Sequence, residues 1–149
     1  MDEKIKGAFA KVTTHPDGSR SFYEESKDKT LVVQKNFSSD GKLTFVSSFK
    51  FDSGKNPRIG KIESPSGKIL IKIRYAYHRD TGRLLHAVYY DMTKKRINSK
   101  TGEIQPIQIV VHEYDSDGNA LTPKSVALVP KHEFEKIIGA PLGNAGLVR

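Results

Sequence analysis

Five histidines, His15, His78, His86, His112 and His132, have the widest chemical repertoire in this sequence, since an imidazole near neutral pH can act as acid, base or metal ligand. None stands two, three or four residues from another, so a base or a metal site would have to be assembled from separate strands. His86 and His112, together with Tyr89 and Glu113, are the residues that such an assembled site would use. Glu24 and Glu25 are adjacent and fall on opposite sides of a strand, a poor geometry for an acid and base pair. Asp115, Asp117 and Asn119 are spaced like the first ligands of a calcium loop. However, Gly118 interrupts the pattern and the closing glutamate is missing, so a hairpin turn accounts for them better. Gly139 to Gly146 matches neither a phosphate-binding loop nor a dinucleotide fingerprint. With no cysteine there is no thiol nucleophile, disulfide or thiolate ligand. No catalytic residue, metal site or cofactor is assigned.

Cations are the other chemically active group. Twenty-five Lys and Arg against seventeen Asp and Glu leave a formal charge of +8, a field that attracts anions of any kind. Lys42, Thr44, Val46, Ser48 and Lys50 alternate against Leu43, Phe45, Ser47, Phe49 and Phe51, and Lys68, Leu70, Lys72, Arg74 and Ala76 alternate against Ile69, Ile71, Ile73, Tyr75 and Tyr77. Period-two alternation of this kind marks a half-buried strand. Lys42, Lys50, Lys68, Lys72 and Arg74 therefore share the solvent side of two strands and form the candidate binding face. Lys94, Lys95 and Arg96, in a basic stretch from Thr93 to Pro106, add further contacts from a loop. Such a face suits an anionic polymer or an acidic protein surface. Tyr75 and Tyr77 alternate away from the lysines, which disfavours nucleic acid without removing it.

The elements that must position these residues are strands separated by turns. Glycines at 18, 41, 54, 67, 82, 102 and 118 follow Asp, Ser or Thr and punctuate the chain at spacings of 23, 13, 13, 15, 20 and 16 residues. That spacing is too uneven for a solenoid or a propeller and predicts an antiparallel meander in which each strand pairs with the next. Arg83 to Met92 is apolar on both sides, as a central strand is, and Pro123 marks the last strand as an edge. Lys131 to Ile138 reads as a short helix stopped by Gly139. The expected organisation is one mainly β domain over residues 1–138 and a flexible tail over 139–149. No apolar run is long enough to span a bilayer as a helix, and the first ten residues lack a signal-peptide core. An extracytoplasmic location is favoured if an upstream signal peptide has been removed.

The segment Arg74 to Asp91, RYAYHRDTGRLLHAVYYD, resembles the YD repeat of RHS-type proteins, with Tyr77 at the tyrosine position and Gly82-Arg83-Leu84 at the Gly-Arg-Leu position. Fragments at Phe37 to Leu43 and Tyr114 to Leu121 are similar, and a weaker likeness runs to MORN-variant repeats. The resemblance implies β-hairpin repeats in envelope-associated or secreted proteins that enclose or bind other molecules, and it brings no catalytic residues. The expected function is a non-catalytic interaction or ligand-binding module with a basic face. The alternatives are an enzyme whose site is gathered from separate strands and a cytoplasmic nucleic-acid-binding protein.

Overall fold

The computed structural model describes residues 7–139, and the proposed tail and the glycine-bearing segment after Gly139 lie outside them. Nine strands form one antiparallel sheet in sequence order: β1 Gly7–Thr14, β2 Arg20–Ser26, β3 Leu31–Phe37, β4 Leu43–Phe51, β5 Pro57–Glu63, β6 Ile69–Tyr77, β7 Leu84–Asp91, β8 Gln108–Val111 and β9 Lys124–Ala127. The expected meander is therefore the fold. β9, fully exposed, is an edge just after Pro123, and β7 is interior. Helix α1, Lys131–Ile138, ends on Gly139 in the left-handed region.

Most of the short hairpin connections use one turn. The amide of the fourth turn residue donates to the carbonyl of the first, and the amide of the first donates to the carbonyl of the fifth, as at Ser38–Lys42, Ser64–Lys68 and Asp115–Asn119. That geometry puts the fourth residue at positive φ, where glycine carries no Cβ penalty; Gly41 and Gly67 sit there at 87° and 95°. Two turns depart from the glycine rule. At Asp52–Asn56 the positive φ of 67° falls on Lys55, not on Gly54, and at Ser26–Thr30 it falls on Lys29 at 61°. Side-chain acceptors stabilise both: Asp52 accepts from the amides of Gly54 and Asn56, and Asp28 accepts from the amide and hydroxyl of Thr30.

Register divides the sheet into two faces. On the covered face, one cross-strand row runs Val32, Phe49, Gly60, Ile73 and Tyr89, and its neighbour runs Gln34, Ser47, Ile62, Ile71 and Asp91. Phe45, Ile62, Ile71, Ile73 and Ile107 are fully buried, and α1 lays Phe134 and Ile138 onto the core, with the Phe134 ring 6.3 Å from that of Tyr89. Gly60 has no side chain because Phe49 and Ile73 fill its place, each 3.0 Å from where a Cβ would stand.

The register shifts in five strand pairs, and two of these shifts change the face expected from simple alternation. Glu63 pairs with Ile69 and Ile62 with Ile71, so Leu70 is an extra residue. Leu70 is buried at 7% exposure and Ile69 is exposed at 42%, the reverse of the expected assignment. Likewise Phe37 pairs with Leu43 and Asn36 with Phe45, which moves Leu43 to the side of the lysines. An inserted residue shifts the period of two by one, and a sequence pattern carries no mark of where that happens.

Candidate functional site: the open face of the sheet

The face opposite the core is built from the same registers. Lys50 on β4 pairs with Ile59 on β5, which pairs with Arg74 on β6. One row along, Ser48 pairs with Lys61, Lys61 with Lys72, and Lys72 with Tyr90. Lys50, Lys61, Lys72 and Arg74 thus occupy neighbouring positions around Ile59, whose side chain is 47% exposed. Glu63 approaches Lys61 at 3.4 Å; among the described residues Lys50, Lys72 and Arg74 have no ion-pair partner. The like charges of Lys61 and Lys72 stand directly opposite each other, an arrangement that is destabilising by itself and is partly offset by Glu63 beside Lys61.

Of the residues expected to form the binding face, Lys50, Lys72 and Arg74 are brought together in this way. Lys42 and Lys68 precede their strands and close the turns Ser38–Lys42 and Ser64–Lys68, where each is exposed at the same end of the sheet. Lys94 and Lys95 are exposed in the connection after β7, which contains an isolated bridge from Ile97 to Ile104. Arg96 turns inward, its guanidinium 3.3 Å from the buried carboxylate of Asp91. Burial alone would raise the Asp91 carboxyl, but hydrogen bonds from Thr93 and the charge of Arg96 hold it below the usual range.

A groove of about 500 Å³ opens on this face across β2 to β5 and the turn Ser64–Gly67. Its floor is aliphatic: Leu31, Val33, Leu43 and Val46 are half-buried in it. Lys35, Lys50 and Lys61 line it with Glu24 and Glu63. Leu31 pairs with Lys50 and Lys35 with Val46, so cation and aliphatic alternate across the strands. Sequence reasoning missed Lys35 and Lys61 because each belongs to a strand without clean alternation. It missed Leu43 because of the bulge. Phe22 and Tyr90 also stand on the open face, in register with Lys35 and Lys72, so aromatics are not confined to the far side as Tyr75 and Tyr77 are.

The assembled polar site does not come together. His86 faces the open side beside Val111, whereas Tyr89 lies in the core under α1, where burial pushes its hydroxyl up to about 12. His112 follows Val111, and burial lowers its imidazole below the ordinary histidine range; Glu113 is engaged by Lys124 at 3.1 Å. Among the described residues no group of three His, Cys, Asp or Glu could hold a metal ion. Asp115 spends its carboxylate on the amides of Asp117 and Asn119, as a hairpin turn requires. Glu24 and Glu25 pair with Val33 and Val32 and lie on opposite faces. Among the described residues no helix is long and apolar enough to cross a membrane.

Comparison with known proteins adds little. No family model and no curated protein matches the chain. Among solved structures it is similar to the pneumococcal O-GlcNAc transferase GtfA, seen in complex with UDP and GlcNAc, at 11% identity and a TM-score of 0.30 over 81% of this chain. The match spans 21% of that transferase, about a fifth of its length. A likeness at that score carries no conclusion about fold or activity.

Proposed function

We propose that the chain is a non-catalytic binding module whose open sheet face engages an anionic partner. The observation that carries this reading is the group Lys50, Lys61, Lys72 and Arg74, set in adjacent ladder positions with one carboxylate among them. A partner that neutralises them removes the repulsion between Lys61 and Lys72 and gains charge-assisted hydrogen bonds. The RHS-type resemblance of Arg74 to Asp91 supports a binding role, and it alone supports an extracytoplasmic one.

The test is binding of poly-L-glutamate at low and moderate salt by the wild-type chain and by a Lys50→Glu, Lys72→Glu, Arg74→Glu variant. These side chains are exposed, so each change moves stability by only about 0.5 kcal/mol. Wild-type binding that weakens with salt and disappears in the variant is the expected result; equal binding by both chains removes the basic face from the function. A single-stranded nucleic acid is the second reading, favoured by Tyr90 directly opposite Lys72. Oligo-dT in the same assay separates the two.

A further inference from the structure

The groove on β2 to β5 narrows the partner. A uniform polyanion needs cations and, for bases or sugars, aromatic surfaces to stack on. This groove has no aromatic side chain among its lining residues and has an aliphatic floor of Leu31, Val33, Leu43 and Val46; of its two carboxylates, Glu24 and Glu63, the second is paired with Lys61. Lys35 and Lys50 have no ion-pair partner among the described residues; Lys35 stands across from Val46 on one side and Phe22 on the other, and Lys50 across from Leu31 and Ile59. Such a surface complements a ligand that alternates apolar and acidic groups at residue-scale spacing. Four strands span about 14 Å at the usual separation. That width accommodates a single helix of about 10–12 Å diameter.

We infer that the groove is the docking site for an acidic amphipathic helix of a partner protein, which sets its apolar stripe on Leu31, Val33, Leu43 and Val46 and its carboxylates against Lys35 and Lys50. This inference rests on the anionic-partner reading and adds to it the apolar requirement. Recognition of this kind is the helix-in-groove mode, in which apolar side chains at helical spacing anchor and flanking charges select orientation.

The probe is a synthetic peptide of about 16 residues, some four helical turns, with Leu at helical spacing on one face and Glu elsewhere. It is compared with poly-L-glutamate and oligo-dT of the same length by fluorescence anisotropy. The amphipathic peptide is expected to bind about tenfold tighter than poly-L-glutamate. A Val33→Thr, Val46→Thr variant keeps side-chain shape while adding hydroxyls; it is expected to weaken the peptide by about tenfold and to leave poly-L-glutamate unchanged. Lys35→Glu with Lys50→Glu is expected to abolish both. Equal binding of the two acidic probes, tighter binding of oligo-dT, or indifference of the peptide to the valine changes overturns the inference. Failure of every anionic probe on the wild-type chain overturns the anionic-partner reading itself, so the two failures are distinct. If the double valine variant does not fold, as judged by circular dichroism, Leu43→Thr replaces it with the same expected outcomes.

Discussion

Gly60 and Gly67 serve the fold for different reasons, and substitution separates them. Gly60→Ala drives a methyl group into Phe49 and Ile73, and an overpacked core position costs about 1–3 kcal/mol. At Gly67 an added Cβ meets nothing within 4 Å, and the penalty arises from a φ of 95°, about 1–2 kcal/mol for a residue with a side chain. Urea unfolding checks both, and only Gly60→Ala should be relieved by a smaller residue at Phe49. Ser47 offers the opposite sign. Its hydroxyl is buried at 1% exposure with no hydrogen-bond partner among the described residues, so Ser47→Ala removes a desolvated polar atom and raises stability by about 1 kcal/mol. The turn carboxylates set the acid limit. Thr30 and Ser26 hydroxyls hold Asp28 at about 2, and Asp17, Asp40, Asp52 and Asp115 are lowered by their own turn hydrogen bonds. A carboxyl with a depressed folded value stabilises the native state above its unfolded value near pH 4. That contribution is lost as pH falls toward 2, the value for Asp28. Unfolding midpoints measured between pH 5 and about 2 should drop steadily, and a flat profile would show that these hydrogen bonds do not act in solution.

Individual elements obey the hairpin logic until a bulge intervenes. Strand β6 reads as a strict alternation, yet the extra residue at Leu70 sends two successive side chains, Leu70 and Ile71, into the core. Leu70→Ala should therefore cost about 2–5 kcal/mol, whereas Ile69→Thr on the open side should change stability by about 0.5 kcal/mol or less. The unbulged strand would invert that order. The helix is a second test of element-level packing. Phe134 is buried against Tyr89, so Phe134→Ala should destabilise by about 3–5 kcal/mol and, by admitting water, bring the Tyr89 hydroxyl down from about 12 in an alkaline absorbance titration. Two further contacts tie neighbouring hairpins together. The Tyr77 hydroxyl donates to the Pro57 carbonyl with Arg58 over its ring, and the Tyr114 hydroxyl donates to the Leu84 carbonyl with Arg83 over its ring. Arg83, the arginine of the YD-like segment, thus stacks on a tyrosine of the following hairpin.

For the whole molecule, the distribution of the core sets where the sheet opens. Buried side chains concentrate on β3 to β7 and α1, while β9 is exposed throughout and β1 has no outer neighbour among the described strands. Native-state hydrogen exchange should run fastest at β9 and β1 and slowest at β5 and β6, whose amides open only with the global transition. Uniform protection along the sheet would contradict a core centred on those strands.

Alternation and turn residues were enough to determine a mainly β meander, the edge position of β9 among the described strands and the helix stopped at Gly139. Each of these depends on local chemistry: the period of two, the positive φ of a turn residue, the lack of an amide donor on proline. Tertiary structure decided what depends on pairing between strands. The bulges at Leu70 and Thr44 reassigned Ile69 and Leu43 to the open face, and register placed Lys61 opposite Lys72 and Lys35 opposite Val46. Of the cations expected on that side, Lys50 lines a groove with an aliphatic floor beside Lys35 and Lys61, while Lys72 and Arg74 stand on β6 outside it. Which cation stands beside which aliphatic side chain is set by cross-strand register, and a single strand's sequence does not encode its neighbour's offset.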